Sequence, residues 1–440
     1  MEPAATSIRF RVLCWLGLAA GLSYLCRNAV GVAESTIRLD LGLSLEQSGW
    51  FMGAFFWTYA AFQIPSGWFA QYCGTRFSLA CFAFLWSLAT LGISFGYGFW
   101  TLCGAQMLMG VVQAGIFPAA CNSIGHWMPL SSRSFACGLL AAGMQVGAIV
   151  ASTFTGPLLL AFGWRSAFAL FALPGIIWAI IFAIRFRNHP HESTAVNPAE
   201  LALIRSTPPA RPTADKSSAI TVSATPRNDW AIFLTSTMWL LCGQQVFRSA
   251  GYMFFASWFP TFLQQTRGVS IAQSGFQQGM VLAGSLLGAI VGGMVTDWVW
   301  RRTKNLRISR SGVGATALAT CSLLIGSAWF VADARFAVGL IAAGAFFAAL
   351  AGPCAFAATI DIGGSKVPQV FGMMNMCGNV AAAVCPVAVA RIVKQTGNWD
   401  LILLLFAAVY LCGAACWVMT NTSRQSVASS PTTSDDRDHS

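Results

Sequence analysis

The chain has 440 residues, of which 56% are hydrophobic and only 9% are charged. A soluble domain carries about 25% charged residues, so this composition excludes a soluble globular protein. The formal net charge of +11 would suit a nucleic-acid partner, but the placement of the basic residues along the chain argues against one.

Apolar runs long enough to cross a bilayer as helices, about 20 residues each, recur from end to end. The sequence predicts twelve such helices, at 11–33, 48–70, 77–97, 99–124, 134–161, 164–184, 231–263, 274–296, 312–332, 335–360, 368–392 and 399–420. The predicted fold class is an all-α membrane protein with twelve transmembrane helices.

Residues 42–49 (GLSLEQSG) recur as 268–275 (GVSIAQSG), and the same offset places GWFAQYCGTR (67–76) on GMVTDWVWRR (293–302). Two matches at one offset indicate an internal duplication. A segment rich in Ser, Thr, Pro and Ala, typical of a flexible linker, separates the two copies. The predicted domains are an N-terminal six-helix bundle (1–185), a cytoplasmic linker (186–230), a C-terminal six-helix bundle (231–420) and a disordered cytoplasmic tail (421–440).

Most of the 26 lysines and arginines fall in segments that are cytoplasmic if both termini lie inside the cell, as the positive-inside rule requires. We therefore expect a multi-pass protein of the inner or plasma membrane with both termini in the cytoplasm. The basic cluster 301–310 indicates a topology signal rather than a nucleic-acid patch. The sequence contains no nucleophile–base pair, metal-ligand cluster or phosphate loop, so we expect neither enzymatic activity nor a cofactor or metal.

Five segments carry a resemblance to a known family. The chain resembles the major facilitator superfamily, and within it the anion:cation symporter branch, which includes hexuronate and galactonate transporters and relatives that carry sialic acid or vesicular glutamate. The segments are 24–44, 55–67, 189–205, 252–263 and 374–386. The resemblance implies two six-helix bundles related by a pseudo-twofold axis along the membrane normal. It also implies a monomeric secondary active transporter that moves a sugar acid or other small carboxylate by alternating access.

Arg27 lies in the middle of the first predicted helix, where a charge costs at least ~2.5–3.5 kcal/mol. It must face a cavity or a partner; the alternative is an arginine held by backbone carbonyls. In the resembled branch, the arginine of this Tyr-x-x-Arg stretch binds the substrate carboxylate, for which a guanidinium fork is well suited. Arg248 lies at a similar depth in the seventh helix, with an arginine at a helix bend as its alternative. Two such cations favour an anion, in particular a dianion.

Three positions depart from the resembled branch, which has an Asp before that arginine and an Arg and a Glu in the fourth helix. Here these coupling positions are the neutral Cys26, Gln106 and Gln113. Because the acids of the branch take up protons, their loss favours a proton-independent exchanger or facilitator that uses Arg27 and Arg248, as in organophosphate:phosphate antiporters. Whether a proton or a counter-anion is coupled stays open, and a sensor that binds without transporting is a third alternative.

Other polar residues complete the predicted site. Glu34 is either a displaced proton acceptor or a solvated residue at a helix end. Hydroxyl and amide side chains are expected to bind the substrate, with interhelical hydrogen bonding as the alternative: Tyr59, Gln145, Tyr252, Asn375 and Asn379. Glycines at 143 and 147, and at 284, 288 and 292, predict close helix packing.

The repeated loop signature predicts a cytoplasmic gate, formed by Gly67, Gln71, Gly74 and Arg76 in the first copy and Gly293, Asp297, Arg301 and Arg302 in the second. In the resembled superfamily, the acid of this signature faces a helix end in the opposite half and holds the outward-open state. Only the second copy keeps the acid, Asp297, and we expect its partner at Ser131–Arg133, where helix N–H groups stabilise an anion.

Overall fold

The computed structural model describes residues 5–205, 229–268, 271–331 and 333–422, and this part of the chain contains helices but no strand. The helices are α1 (Ile8–Asp40), α2 (Leu45–Ala61), α3 (Gln63–Ser94), α4 (Phe99–Gln113), α5 (Ile116–Trp127), α6 (Arg133–Arg185), α7 (Pro198–Arg205), α8 (Ser236–Ser257), α9 (Phe259–Arg267), α10 (Ile271–Thr303), α11 (Val313–Ala328), α12 (Ala334–Gly363), α13 (Val367–Thr396) and α14 (Asp400–Met419).

Eight stretches of the described helices are long and apolar enough to cross a membrane. Two of them, Leu130–Arg185 and Arg335–Cys385, are long enough to cross twice. The second and seventh predicted crossings are each divided between two helices. The second consists of α2 and the start of α3, and the seventh consists of α8 and α9. The described helices are thus consistent with the twelve predicted crossings, and the predicted fold class is confirmed.

Two glycines mark the points where long helices reverse direction. Gly74 in α3 and Gly163 in α6 adopt φ values of +78° and +75°, a left-handed conformation that costs glycine little. The second crossing therefore ends at Gly74 and the third begins after it, and Gly163 separates the fifth crossing from the sixth in the same way.

The glycine patterns bring helix backbones into contact, as predicted. A side chain at Gly143 of α6 would collide with the carbonyl of Gly17 in α1. In the second half, Gly284 and Gly292 of α10 lie in the same way against the carbonyls of Ala342 and Leu350 in α12. Such contacts allow the close van der Waals packing that holds helices together in lipid.

Part of the predicted linker is ordered and packs against the N-terminus. The Glu200 side chain on α7 is fully buried. Its carboxylate accepts hydrogen bonds from the backbone N–H groups of Ile8 (3.2 Å) and Arg9 (3.1 Å) and pairs with the Arg9 guanidinium at 3.0 Å. We call the side of the molecule that carries this contact the linker side. The rest of the predicted linker (206–228) and the predicted tail beyond residue 422 lie outside the described residues.

Candidate functional site

The Arg27 guanidinium lies inside a cage of four aromatic rings. Its carbon atom is 4.5 Å from the ring centre of Phe55, 4.8 Å from Phe56, 5.2 Å from Tyr24 and 5.3 Å from Tyr59. Each such cation–π contact contributes about 0.5–1 kcal/mol, and more when it is desolvated. We call these four residues the aromatic cage. Within the described part of the chain, Arg27 pairs with no carboxylate, and its one hydrogen bond, to the Tyr24 hydroxyl, is 3.5 Å long.

The second crossing supplies three of the four rings, and the fourth crossing holds it in place. The rings of Phe55 and Tyr59, one helical turn apart, are stacked with their centres 5.2 Å apart. The Thr58 hydroxyl donates a hydrogen bond of 2.9 Å to the carbonyl of Met107. Gly110 lies so close to the Phe55 carbonyl that a side chain there would collide with it. The cage is therefore built into the packing of the first half.

Arg248 lies on α8 in the second half, in a polar environment. Its Nη2 donates a hydrogen bond of 2.9 Å to the side-chain carbonyl of Gln245, whose amide nitrogen is 3.4 Å from the Ser249 hydroxyl. Its Nη1 faces Gly352 of α12, where an added Cβ would lie 3.5 Å away. Its Nε is buried and has no hydrogen-bond partner among the described residues. Arg248, like Arg27, has no carboxylate partner among the residues that the structure describes.

Tyr252 connects the surroundings of the two arginines. Its hydroxyl lies within hydrogen-bonding reach of Gln145 and within electrostatic range of both Arg27 and Arg248. Its side chain is 39% exposed, whereas that of Tyr59 is only 3% exposed. The structure thus places Tyr252 close to Arg27, Gln145 and Arg248, and Tyr59 lies against Arg27 as part of the aromatic cage.

The two predicted asparagines lie on α13, beside the residues that hold Arg248. Gly378 of this helix is in contact with the side chains of Gln245 and Ser249. Asn375 and Asn379 are half-buried. The Asn379 amide donates a hydrogen bond of 2.8 Å to the backbone carbonyl of Asn375, so in this conformation that amide is used within its own helix.

The three neutral coupling positions are buried within the first half. The Cys26 thiol is 3.6 Å from the carbonyl of Phe171 in the sixth crossing. The Gln113 amide donates a hydrogen bond of 3.1 Å to the carbonyl of Ser23. Gln106 is 3% exposed, and its side-chain oxygen has no partner in the described part of the chain. All three positions are therefore enclosed by the packing of the first half.

Glu34 forms an ion pair at the end of the first crossing that lies away from the linker side. Its carboxylate pairs with Arg38, one turn further along α1, at 2.9 Å and accepts a hydrogen bond from the Ser48 hydroxyl. The structure therefore places Glu34 in a local ion pair with Arg38.

On the linker side, the second copy of the loop signature joins the two halves. Asp297 is fully buried, and its carboxylate accepts hydrogen bonds from the backbone N–H groups of Ser134 (3.1 Å) and Phe135 (2.7 Å) at the start of α6. Gly293 lies against the carbonyl of Ser134, with no room for a side chain. The N–H groups that face Asp297 therefore belong to the two residues that directly follow the predicted Ser131–Arg133.

The cation beside Asp297 is Arg310 rather than Arg133, the cation of the predicted partner segment. Arg310 lies 3.5 Å from Asp297 and 2.9 Å from Asp361, and Arg133 pairs with Asp361 at 2.5 Å. These two acids and two bases form a buried, electrically balanced network. Arg301 and Arg302 lie on the surface instead: Arg301 bonds the carbonyl of Ser131, and Arg302 lies over the Trp298 ring. Arg301 and Arg302 do not pair with Asp297, because the Asp297 carboxylate points inward, toward α6.

The first copy of the signature also contacts the other half, but through a neutral side chain that donates to the backbone. Gln71 donates a hydrogen bond of 2.5 Å to the carbonyl of Ser365 and accepts one from Gln369, at the start of α13. Gly67 lies against the carbonyl of Pro368. The remaining two members stay within the first half, where Gly74 contacts Asn188 and Arg76 bonds the carbonyl of Ala183 at 2.6 Å.

Several residues of the site were missed by the sequence analysis. Tyr24, Phe55 and Phe56 form most of the cage, and Gln245 holds Arg248. Tyr24 stands three residues before Arg27, and Gln245 three residues before Arg248. Residues at this spacing lie on the same face of a helix, so the sequence spacing indicates both contacts. Phe55 and Phe56 required the packing of one helix on another.

Comparison with known proteins gives consistent matches along the chain. The family model of the Major Facilitator Superfamily matches residues 16–350. A protein named as a probable sulfoacetate transporter of Cupriavidus necator is 29% identical over 413 residues, covering 94% of each chain. A hexuronate transporter of Bacillus subtilis is 28% identical over 399 residues, covering 90% of each chain. Among solved structures, the transporter FucP in its outward conformation matches with a TM-score of 0.68 at 13% identity, covering 93% of this chain and 98% of that one.

Proposed function

The chain belongs to the Major Facilitator Superfamily, and on this premise we propose that it is a secondary transporter that binds a small organic anion between Arg27 and Arg248. The observation that carries the proposal is that each half contributes one guanidinium without a carboxylate partner among the described residues. An unpaired charge inside a membrane protein is expensive, and a substrate anion would supply the missing partner.

The chemistry of the site agrees with the substrates named for the relatives. Sulfoacetate and hexuronates, the substrates for which two of the relatives are named, are small organic acids. We propose a substrate of the same class, with at least one carboxylate or sulfonate group. Tyr252, Gln145, Asn375 and Asn379 would bind its neutral oxygen atoms, since hydroxyl and amide side chains supply both donors and acceptors.

We further propose that the linker side is the cytoplasmic side of a cell membrane, with both termini in the cytoplasm. The basic cluster 301–310 lies on that side, as the positive-inside rule requires. The contacts of Asp297 and Gln71 then close the cytoplasmic end, so that the conformation described is outward-open. Because the arginines come from the two halves of one chain, a monomer is sufficient for transport.

The neutral coupling positions favour exchange or facilitated transport over proton symport. Cys26 and Gln113 replace the two acids that take up protons in the resembled branch, Gln106 replaces an arginine, and a glutamine does not titrate. A counter-anion, rather than a proton, would then bind the two arginines after the substrate has left. Glu34 is the alternative proton acceptor, but its ion pair with Arg38 competes with that role.

The experiment that tests the proposal is a ligand screen followed by counterflow. Thermal stabilisation of the purified protein should identify binders among sugar acids, dicarboxylates, sulfonates and phosphate esters, because a ligand that binds the folded state stabilises it. The best binder should then show counterflow in proteoliposomes. Binding without counterflow would indicate a sensor, and the absence of both with every organic anion would refute the proposal.

A further inference from the structure

We propose that the aromatic cage gives the Arg27 end of the site a preference for a charge-diffuse sulfonate over a carboxylate. This inference rests on the proposed function, because it assigns the head-group chemistry of the same anion site. The two arginines differ in their surroundings, since aromatic rings surround Arg27 whereas the Gln245 amide oxygen binds Arg248.

The cage places hydrocarbon against Arg27. Four ring centres lie 4.5–5.3 Å from the guanidinium carbon, so aromatic rings cover part of the cation. Ring faces attract a cation but accept no strong hydrogen bond from its N–H groups. The one hydrogen bond that the structure describes for Arg27 is the long one to Tyr24. Arg27 therefore presents a cation that lies against aromatic rings and whose N–H groups make no other hydrogen bond within the described part of the chain.

An anion that binds such a cation must leave its own water shell. A carboxylate concentrates its charge on two oxygen atoms and is strongly hydrated, so its transfer to a partly apolar surface is costly. A sulfonate spreads the same charge over three oxygen atoms and loses less hydration energy. A guanidinium is itself weakly hydrated and stacks readily on aromatic rings. The caged arginine should thus discriminate in favour of the sulfonate.

Arg248 provides the contrasting half-site. Its guanidinium is oriented by a full-strength hydrogen bond of 2.9 Å to Gln245, and Tyr252 lies within electrostatic range. Polar groups of this kind can replace the water that a carboxylate gives up. A substrate with a sulfonate at one end and a carboxylate at the other would therefore bind in one orientation, with its sulfonate at Arg27.

The test compares two dianions of similar length, sulfoacetate and malonate, by titration calorimetry on the purified full-length protein. The wild-type protein should bind sulfoacetate about tenfold more tightly than malonate. Phe56→Leu opens the cage at its less buried ring and should reduce this ratio several-fold, mainly by weakening sulfoacetate. Phe56→Tyr retains the ring and should retain the ratio. Gln245→Leu acts at the other arginine and should weaken both dianions alike.

Equal affinities of the wild-type protein for the two dianions, or a preference for malonate, would overturn the inference and leave the proposed function intact. An unchanged ratio in a folded Phe56→Leu variant would also overturn it. The wild-type ratio decides the question even if Phe56→Leu fails to fold. If no organic anion binds or shows counterflow, the proposed function itself fails, and the inference fails with it.

Discussion

The Asp297 carboxylate accepts a hydrogen bond of 2.7 Å from the backbone N–H of Phe135, so the eighth crossing of one half is fixed to the start of the fifth crossing in the other. At the equivalent position of the first copy, the neutral Gln71 amide donates a hydrogen bond to the carbonyl of Ser365. The duplicated signature has therefore produced two contacts at equivalent positions that differ in charge and in the direction of the hydrogen bond.

These two contacts should differ in strength. Asp297→Asn and Gln71→Asn place the same residue at the two equivalent positions. Hydrogen bonds to a charged group contribute about 1.5–3 kcal/mol, against about 0.5–1.5 for neutral ones. Asp297→Asn should therefore shift the population toward the inward-open state by about ten- to a hundredfold, and Gln71→Asn by much less. Cysteine accessibility from each side of the membrane measures the shift, and equal effects of the two substitutions would refute the asymmetry.

The contact between α7 and the N-terminus should stabilise the fold without affecting binding. Glu200 is buried and accepts backbone hydrogen bonds from Ile8 and Arg9. Glu200→Gln replaces one accepting oxygen by a donor, and the loss of a charged hydrogen bond costs about 1.5–3 kcal/mol. The unfolding temperature should fall by several degrees while the substrate affinity stays the same. Glu192→Gln is the matched control, because Glu192 also accepts backbone hydrogen bonds, from Asn188 and His189, but is exposed; solvent screens an exposed charge, so its effect should be smaller.

Tyr252 and Tyr59 should differ in how they use their hydroxyl groups. The Tyr252 hydroxyl faces the space between the arginines, whereas Tyr59 presents its ring to Arg27. Tyr252→Phe should weaken substrate binding by about 0.5–1.5 kcal/mol, and Tyr59→Phe should leave it close to wild type. Titration of both variants with the best substrate from the screen measures the difference. A larger loss for Tyr59→Phe would mean that its hydroxyl contacts the substrate.

Much of this architecture could be predicted from the sequence, because hydrophobic run length and the duplicated loop signature are local features. Arg27 and Arg248 were also identifiable, since a charge within an apolar run requires an explanation. The partners of charged groups were harder to predict. Arg310 and Asp361 are 51 residues apart and belong to different crossings, so only the tertiary packing brings them to Asp297. The contact of Phe56 with Arg27 was equally hard to predict, because it depends on the packing of the second crossing against the fourth.

The neutral coupling positions predict that transport depends weakly on a proton gradient. Gln113 donates a hydrogen bond to the carbonyl of Ser23, and a glutamate there could donate only when protonated. Gln113→Glu combined with Cys26→Asp should therefore introduce a pH dependence that the wild-type protein lacks. Uptake into proteoliposomes under an imposed pH gradient measures it. If the wild-type protein already accumulates substrate steeply with the gradient, Glu34 becomes the first residue to test as the proton acceptor.

The central claim is that Arg27 and Arg248 bind the anion together, and counterflow by arginine variants in proteoliposomes tests it most directly. Arg27→Ala and Arg248→Ala should each abolish counterflow while the proteins remain folded. Arg27→Lys keeps the charge but loses the planar fork, and should raise the half-saturating substrate concentration markedly. Near-normal counterflow by either alanine variant would contradict the account.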